Sequence, residues 1–304
     1  MKHIKTISEF HELRQLPKPE HPLISVIDVE TVKPMHIDEP MNLLLDFYFI
    51  AAKKVSNSRN ARMKYGQQWY DFDEGIMAFM SPNQVFSVAL DKDKEIKQSG
   101  CVLLIHPDFL WNTTLAKTIK RYDFWDYSVN EALLLSEKEE ATINSIIQNI
   151  KQEYHSNIDK FSKQIIISQI ESLLNYAERF YNRQFITREK ANHQILDRLE
   201  KLVSDYFNSE DLISRGLPTV HYVAEQLHLS PKYLSSLLRV LTRQNTQQYI
   251  HDKLIEKAKE KLSTTELSVS EIAYELGFEH LQSFSKLFKA KTNSSPMEFR
   301  ASFN

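Results

Sequence analysis

The sequence predicts an α+β chain: a front half of short strands that closes as a β-barrel and continues into helices, then an all-α back half. Three observations predict it. From Leu23 to Ile105, short runs of Val, Ile, Leu and aromatic residues alternate with turn signals. At Ser136 the apolar spacing changes from that of strands to that of helices. Near the end, IAYELGFEHLQSFSKLFKAKT (Ile272–Thr292) repeats VAEQLHLSPKYLSSLLRVLT (Val223–Thr242) with a slip of one residue. Self-similarity at such a period marks one supersecondary unit used twice.

Bulk properties bound the reading. The chain has 304 residues, enough for two domains, with 42% hydrophobic and 26% charged residues. Cys101 is its one cysteine, so an intrachain disulfide is excluded, which fits a reducing cytoplasm. The start, MKHIKTISEFHELRQLPKPEH, holds no apolar run of signal-peptide length, and no stretch reaches the roughly 18 apolar residues of a spanning helix. The expectation is a cytoplasmic protein with no membrane partner. Net charge is -2, so any affinity for nucleic acid must come from local charge.

The strand candidates are LISVIDVE, MNLLLDFYFIA, QQWYDF, GIMAFM, QVFSVAL and GCVLLIH. Asp73-Glu74-Gly75, Ser81-Pro82-Asn83 and Lys97-Gln98-Ser99-Gly100 supply turns between them. Ser136 and Glu139 have the spacing of a capping box, and Ile143, Ile146, Ile147, Ile150 and Tyr154 follow at helical spacing. A second helix carries Ile166, Ile170, Leu173, Leu174, Ala177 and Tyr181 on one side. The predicted organisation is a barrel over 1–135, a helical pair over 136–182, a polar linker over 183–193 and a helical domain over 194–304.

Each copy of the repeat reads helix, tight turn, helix. Thr219 caps the first helix, His228-Leu229 makes the turn, and Ser230 caps a second helix with Pro231 in its first position. In the second copy Ser268 and Glu271 form a capping box, and Gly277 occupies the helix-ending position. Ala224 and Ala273 are small where the two helices cross. Such a unit is a helix-turn-helix, whose second helix enters the DNA major groove. Charge agrees: no acid occurs from Gln226 to His251 or from His280 to Met297, whereas Lys232, Arg239, Arg243, Lys286, Lys289 and Lys291 lie there.

Residues 195–300 resemble the DNA-binding domain of the AraC/XylS family of bacterial transcription regulators. VAEQLHLSPKYLSSLLR, SVSEIAYELGFE, FSKLFKAKT and SPMEFR carry the resemblance. It implies two helix-turn-helix units joined by a long helix over about Thr246 to Leu262, with double-stranded DNA as partner. Carried over by position, the DNA-reading residues are Lys232, Ser235, Ser236 and Arg239 in the first unit. In the second they are Leu281, Gln282, Ser285 and Lys286, with Lys289 on phosphate. The chain departs from the family at Arg243, a frequent glycine; at Leu254, a common arginine; and at Thr246, usually proline. His280 and Gln282 also replace the frequent Asp and Ser.

The resemblance extends to the front half, where it implies a cupin-like sensor barrel for a small organic effector and a helical pair that forms a homodimer. It also implies activation, with RNA polymerase as a further partner. Strand alternation puts Phe47 and Phe49 on one face and Tyr48 on the other; Tyr70 and Phe72 likewise oppose Trp69. These rings either fill the barrel or line an effector pocket, with Trp69 or Tyr70 as the leading wall residue. No metal and no cofactor are expected. His3, His11, His21, His36, His106 and His155 form no His-x-His pair, and no Gly-x-Ser-x-Gly motif occurs. His106 reads as a structural residue at a strand end, and Cys101 as buried and inert. The chain is therefore read as a regulator and not an enzyme. The competing reading is a metal-free cupin-type binding protein or enzyme whose helical domain docks protein.

Overall fold

The computed structural model describes residues 1–32, 41–56, 62–65, 68–71, 75–88, 97–128, 131–156, 159–209 and 212–303. They form two units, Met1–Gln184 and Phe185–Asn304.

The front unit opens with β1 (Lys2–Ile4) and α1 (Ile7–Leu13). Helix α1 lies outside the sequence-based expectations, although Thr6-Ile7-Ser8-Glu9 is a capping-box signature. The Glu9 amide donates to the Thr6 hydroxyl at 3.1 Å, and the Glu9 carboxylate accepts from the Thr6 amide at 3.4 Å. The strands that follow are β2 (Ile24–Asp28), β3 (Met41–Leu45), β4 (Tyr48–Ser56), β5 (Arg62–Tyr65) and β6 (Gln68–Asp71). After them come β7 (Gly75–Met80), β8 (Val85–Val88), β9 (Lys97–Ile105) and β10 (Leu133–Leu135).

Among the described residues these strands form three open sheets, in the orders β1-β3-β8, β10-β7-β4-β9-β2 and β5-β6. Among the described residues the sheets do not close into the expected barrel, and the chain passes between them at local corners. The run expected as one strand, Met41 to Ala51, breaks at Asp46-Phe47. There the Asp46 amide donates to the Ile4 carbonyl and the Asp46 carboxylate meets His3 at 2.6 Å. The chain turns a second corner at Ser81–Gln84, where Asn83 adopts φ 66 and its amide donates to the Leu45 carbonyl. Each corner transfers the chain between the three-stranded and the five-stranded sheet. One core joins them: Leu43 and Leu45 from one sheet, Phe49, Ala51, Val102 and Leu104 from the other, closed off by Phe10 of α1.

The opposite face of the five-stranded sheet is covered by aromatic rings and helices. After α2 (Thr114–Thr118), Phe124 and Trp125 pack on Phe79, and Trp125 also meets Tyr48. Then come α3 (Glu137–Tyr154) and α4 (Ser162–Thr187), whose Tyr181 stacks on Phe124. Glu139 caps α3 as expected: the Ser136 amide donates to its carboxylate at 2.9 Å. Arg183 of α4 grips the same carboxylate with two donors, at 3.0 and 2.6 Å.

The second unit contains α5 (Glu189–Phe207), α6 (Leu212–Arg215), α7 (Val220–Gln226), α8 (Pro231–Thr242) and α9 (Thr246–Thr264). It ends with α10 (Val269–Glu275), α11 (Leu281–Thr292) and α12 (Pro296–Ala301). The stretch 183–193, read as a linker, is helical on either side of Arg188, whose φ of -91 and ψ of 46 make the joint. Its apolar period is hidden because a polar residue is buried: Asn192 is 3% exposed, and its amide donates to the Phe185 carbonyl at 2.5 Å.

Two side chains of the five-stranded sheet have shifted acidity. Cys101 is buried, and its thiol donates to Asp28 at 3.4 Å. Burial first, then the neighbouring Asp28, pushes the thiol up to about 11, so it stays protonated and unreactive at neutral pH. On β4, alternation places Lys53 on the core face with Phe49 and Ala51, while Lys54 points the other way to Glu140 at 3.2 Å. Burial, with Arg14 adding to it, lowers the Lys53 amine to about 8 from 10.5. Between those values the unfolded chain holds the proton and the folded chain does not, so stability rises with pH across this window and the full penalty applies below it. Lys53→Met is therefore expected to stabilise the protein at pH 7 by about 1–3 kcal/mol and to remove the rise between pH 8 and 10.5. Denaturant melts at pH 7 and pH 9.5 check both; an unchanged midpoint at pH 7 would show that the amine is solvated.

Candidate nucleic-acid interface

The repeat seen in the sequence is a repeat of structure. Helix α10 begins 49 residues after α7, at Val269 against Val220. Helix α11 begins 50 residues after α8, at Leu281 against Pro231, and both are 12 residues long. The one-residue slip lies in the turn. In each unit the first helix ends in a left-handed residue, His228 at φ 59 and Gly277 at φ 82. The amide after it reaches back to the crossing alanine: Leu229 to Ala224 at 2.9 Å, Phe278 to Ala273 at 3.0 Å. Glu279 is the extra residue before α11.

Caps fix where the second helices start and stop. The Ser230 hydroxyl accepts from the Tyr233 amide at 3.2 Å. His280 occupies the same position in the second unit without a side-chain cap bond. Both helices stop on another left-handed residue, Arg243 at φ 61 and Asn293 at φ 60. The next helix then starts on a capping box in each case, Asn245 with Gln248 and Ser295 with Glu298.

The 50-residue correspondence sorts the candidate residues. Leu234 and Phe284, and Leu238 and Phe288, are completely buried. Lys232, Ser236 and Arg239 share one side of α8, and Gln282, Lys286 and Lys289 occupy the equivalent side of α11. All six are exposed apart from half-buried Ser236. Leu281 is also exposed, at the helix start. Ser235 and Ser285 are half-buried. The Ser235 hydroxyl bonds to that of Thr246 at 2.9 Å, so it is turned toward α9 rather than outward. Thr246 corresponds to Pro296 of the second unit, and both are buried. The hydroxyl that Thr246 brings to this buried position is satisfied by Ser235.

Helix α9 holds these parts together. It touches α5, α8, α10, α11 and α12, and it buries Ile250, Leu254, Ile255, Ala258 and Leu262. Leu254, where the family commonly has arginine, is fully inside this core. Ion pairs ring it. Lys261 meets Glu275 of α10 at 2.6 Å, and Asp252 meets Lys291 of α11 at 2.5 Å. Gln244 donates to the other oxygen of Asp252 at 2.6 Å. Sequence reading missed Gln244 and Asp252. The available signal was that Asp252 is the first acid after the acid-free stretch ending at His251.

The candidate effector residues divide. Phe47 and Phe49 are buried and meet Phe10 edge-on at 6.1 and 6.2 Å, so both serve the core between the sheets. The backbone of Trp69 and Tyr70 lies in β6; their side chains, and Phe72, fall outside the described residues. His106 caps a short turn by accepting from the Asp108 amide at 3.3 Å.

A protein-family model described as a helix-turn-helix domain matches residues 223–302. The arabinose operon regulatory protein of Salmonella typhimurium is 30% identical over 132 residues, covering 42% of this chain and 45% of that protein. The C-terminal unit is a helix-turn-helix domain of the AraC type. An uncharacterized HTH-type transcriptional regulator of Bacillus subtilis, YfiF, is 31% identical over 144 residues, covering 47% of this chain and 42% of that protein. The chain thus spans less than half the length of these curated relatives. The solved C-terminal domain of the response regulator yesN from Fusobacterium nucleatum is 32% identical, covering 36% of this chain and 98% of that domain, with a TM-score of 0.30.

Two outcomes follow for this AraC-type domain. At Gly277 an added Cβ would lie 3.1 Å from the Gly216 backbone, on top of the left-handed φ. Gly277→Ala is expected to destabilise the domain by at least about 1–2 kcal/mol, whereas His228→Gly relieves the same conformation and leaves stability equal or higher. Chemical denaturation of the two variants compares them directly. On DNA, Lys289→Ala or Arg239→Ala should weaken all sequences alike and flatten the salt slope by roughly 0.9 per phosphate. Gln282→Ala should instead relax preference at particular base pairs by roughly 1–3 kcal/mol. Titrations at several salt concentrations separate the two behaviours, and a Gln282→Ala protein with unaltered preference would remove that residue from the reading face.

Proposed function

We propose that this chain is a sequence-specific transcription regulator that reads double-stranded DNA with α8 and α11. The carrying observation is the pair of equivalent faces, Lys232-Ser236-Arg239 and Gln282-Lys286-Lys289, presented by two helix-turn-helix units on one central helix. Each face offers cations to phosphate at its C-terminal end and hydrogen-bonding side chains to base edges nearer its start. Gln282 suits adenine and Lys286 guanine. The two helices enter successive major grooves on one side of the duplex.

The front unit is proposed as a sensor for a small apolar or sugar-like organic effector, with Trp69, Tyr70 and Phe72 as its candidate walls. Activation through RNA polymerase, a cytoplasmic location and the absence of enzymatic activity belong to the same reading. Helices α3 and α4 are proposed as the homodimer surface, supported by exposed Ile165 (43%) and Tyr176 (37%) on α4 and Phe161 (57%) just before it.

The expected footprint is two protected major-groove segments per protomer, about 10 base pairs apart on the same face. Hydroxyl-radical and methylation protection on genomic fragments shifted in a gel reads this. No shifted fragment would favour a helical domain that docks protein, and a single protected groove would mean that one unit alone reads DNA. Sedimentation of the same full-length sample at tens of micromolar tests the dimer, which a monomer at that concentration would overturn.

A further inference from the structure

We propose that Asp252 is a positioning residue that fixes the two reading helices relative to each other, and so selects the spacing of the DNA elements rather than their sequence. The inference rests on the DNA-reading role proposed above. One Asp252 oxygen accepts from the Lys291 ammonium at 2.5 Å, and the other accepts from the Gln244 amide at 2.6 Å. Lys291 is in the last turn of α11. Gln244 lies between Arg243, which stops α8, and Asn245, which caps α9. A single carboxylate on the connector thus ties down the ends of both reading helices.

The chemistry requires a carboxylate. Both partners donate, and a carboxylate offers an acceptor to each, whereas an asparagine of the same shape turns a donor toward one of them. The pair is partly shielded from solvent, with side-chain exposures of 29% for Lys291 and 33% for Asp252. Neighbouring His251 is held below its usual range by burial and by Lys291, with Asp252 opposing the shift. Lys291 is exposed like Lys286 and Lys289, but its ammonium is committed to this pair.

DNA translates such a clamp into selectivity. Inserting one base pair between two elements moves the second by about 3.4 Å along the axis and roughly 35° around it. A rigidly clamped pair of helices cannot follow both displacements; a loosened pair follows more readily.

The test uses the full-length protein and a duplex that it selects from a random-sequence pool. Affinity for that duplex is compared with affinity for a derivative carrying one base pair inserted between the two protected segments. The wild type is expected to lose at least about tenfold on the insertion, and Asp252→Asn about threefold or less, with similar thermal midpoints. Lys291→Gln should behave like Asp252→Asn while keeping the wild-type salt slope on the selected duplex. If Asp252→Asn does not fold, Lys291→Gln and Gln244→Leu carry the comparison. Wild-type tolerance of the insertion, or full discrimination by the folded variants, would overturn the clamp. So would a salt slope flattened by about 0.9 in Lys291→Gln, which would make that lysine a phosphate contact. A wild type that selects no duplex overturns the DNA-reading role itself, and the inference with it.

Discussion

The burial of one helix is the constraint on which the C-terminal unit depends. Helix α9 places Ile250, Leu254, Ile255, Ala258 and Leu262 in a core shared with both helix-turn-helix units. Each large aliphatic side chain removed from water there is worth roughly 1.5–3 kcal/mol, an upper range that ordering entropy offsets in part. Ala258 is as informative as the leucines: fully buried, it leaves room for neighbouring helices to approach. With this face committed, the polar edges of α9 are free to make directional contacts. They do so with α10 through Lys261, with α11 through Asp252 and with α12 through the Leu262 carbonyl, which accepts from Arg300 at 3.2 Å.

The two units solve the same geometric problem with different residues. Ending a helix and starting another after a tight turn needs a left-handed residue, and the second unit uses Gly277 where the first uses His228. Glycine is required in the second because Gly216 packs against it; His228 bears the conformation at a small steric cost. The same exchange occurs at Thr246 and Pro296. Proline preorganises a helix start without a hydrogen-bonding demand, while the buried threonine requires Ser235 as its partner. A serine that occupies a reading position by number is thereby drawn into the structure.

In the front unit the corresponding constraint is a shared face between two sheets. Asp46-Phe47 and Ser81–Gln84 pass the chain from one sheet to the other, and Phe10 covers the resulting core. Phe47 and Phe49 are committed to that core by their contacts with Phe10, and Lys53 continues the same face of β4 as an incompletely solvated cation. On the other face, Tyr48 and Phe79 support Phe124 and Trp125, which in turn support Tyr181 of α4.

Much of this was legible in the sequence where the cause is local. The Ser136 cap, the starts of α8 and α10, the left-handed turn at Gly277 and the apolar faces of α8 and α11 depend on residues within one or two turns of each other. Their spacing is therefore a direct record of the structure. The capping box at Thr6 was equally local and was simply masked by a polar N-terminal composition. By itself the sequence determined two helix-turn-helix units, their connector and the outward residues that face away from the buried positions 234, 238, 284 and 288. Tertiary structure alone decided the rest. Strand runs do not encode whether sheets close, because pairing joins residues far apart, as Lys53 joins Gly100. Helix periodicity does not reveal that Ser235 faces Thr246, or that Lys291 is held by an acid 39 residues earlier. Those choices follow from which buried polar groups find partners once the chain is folded.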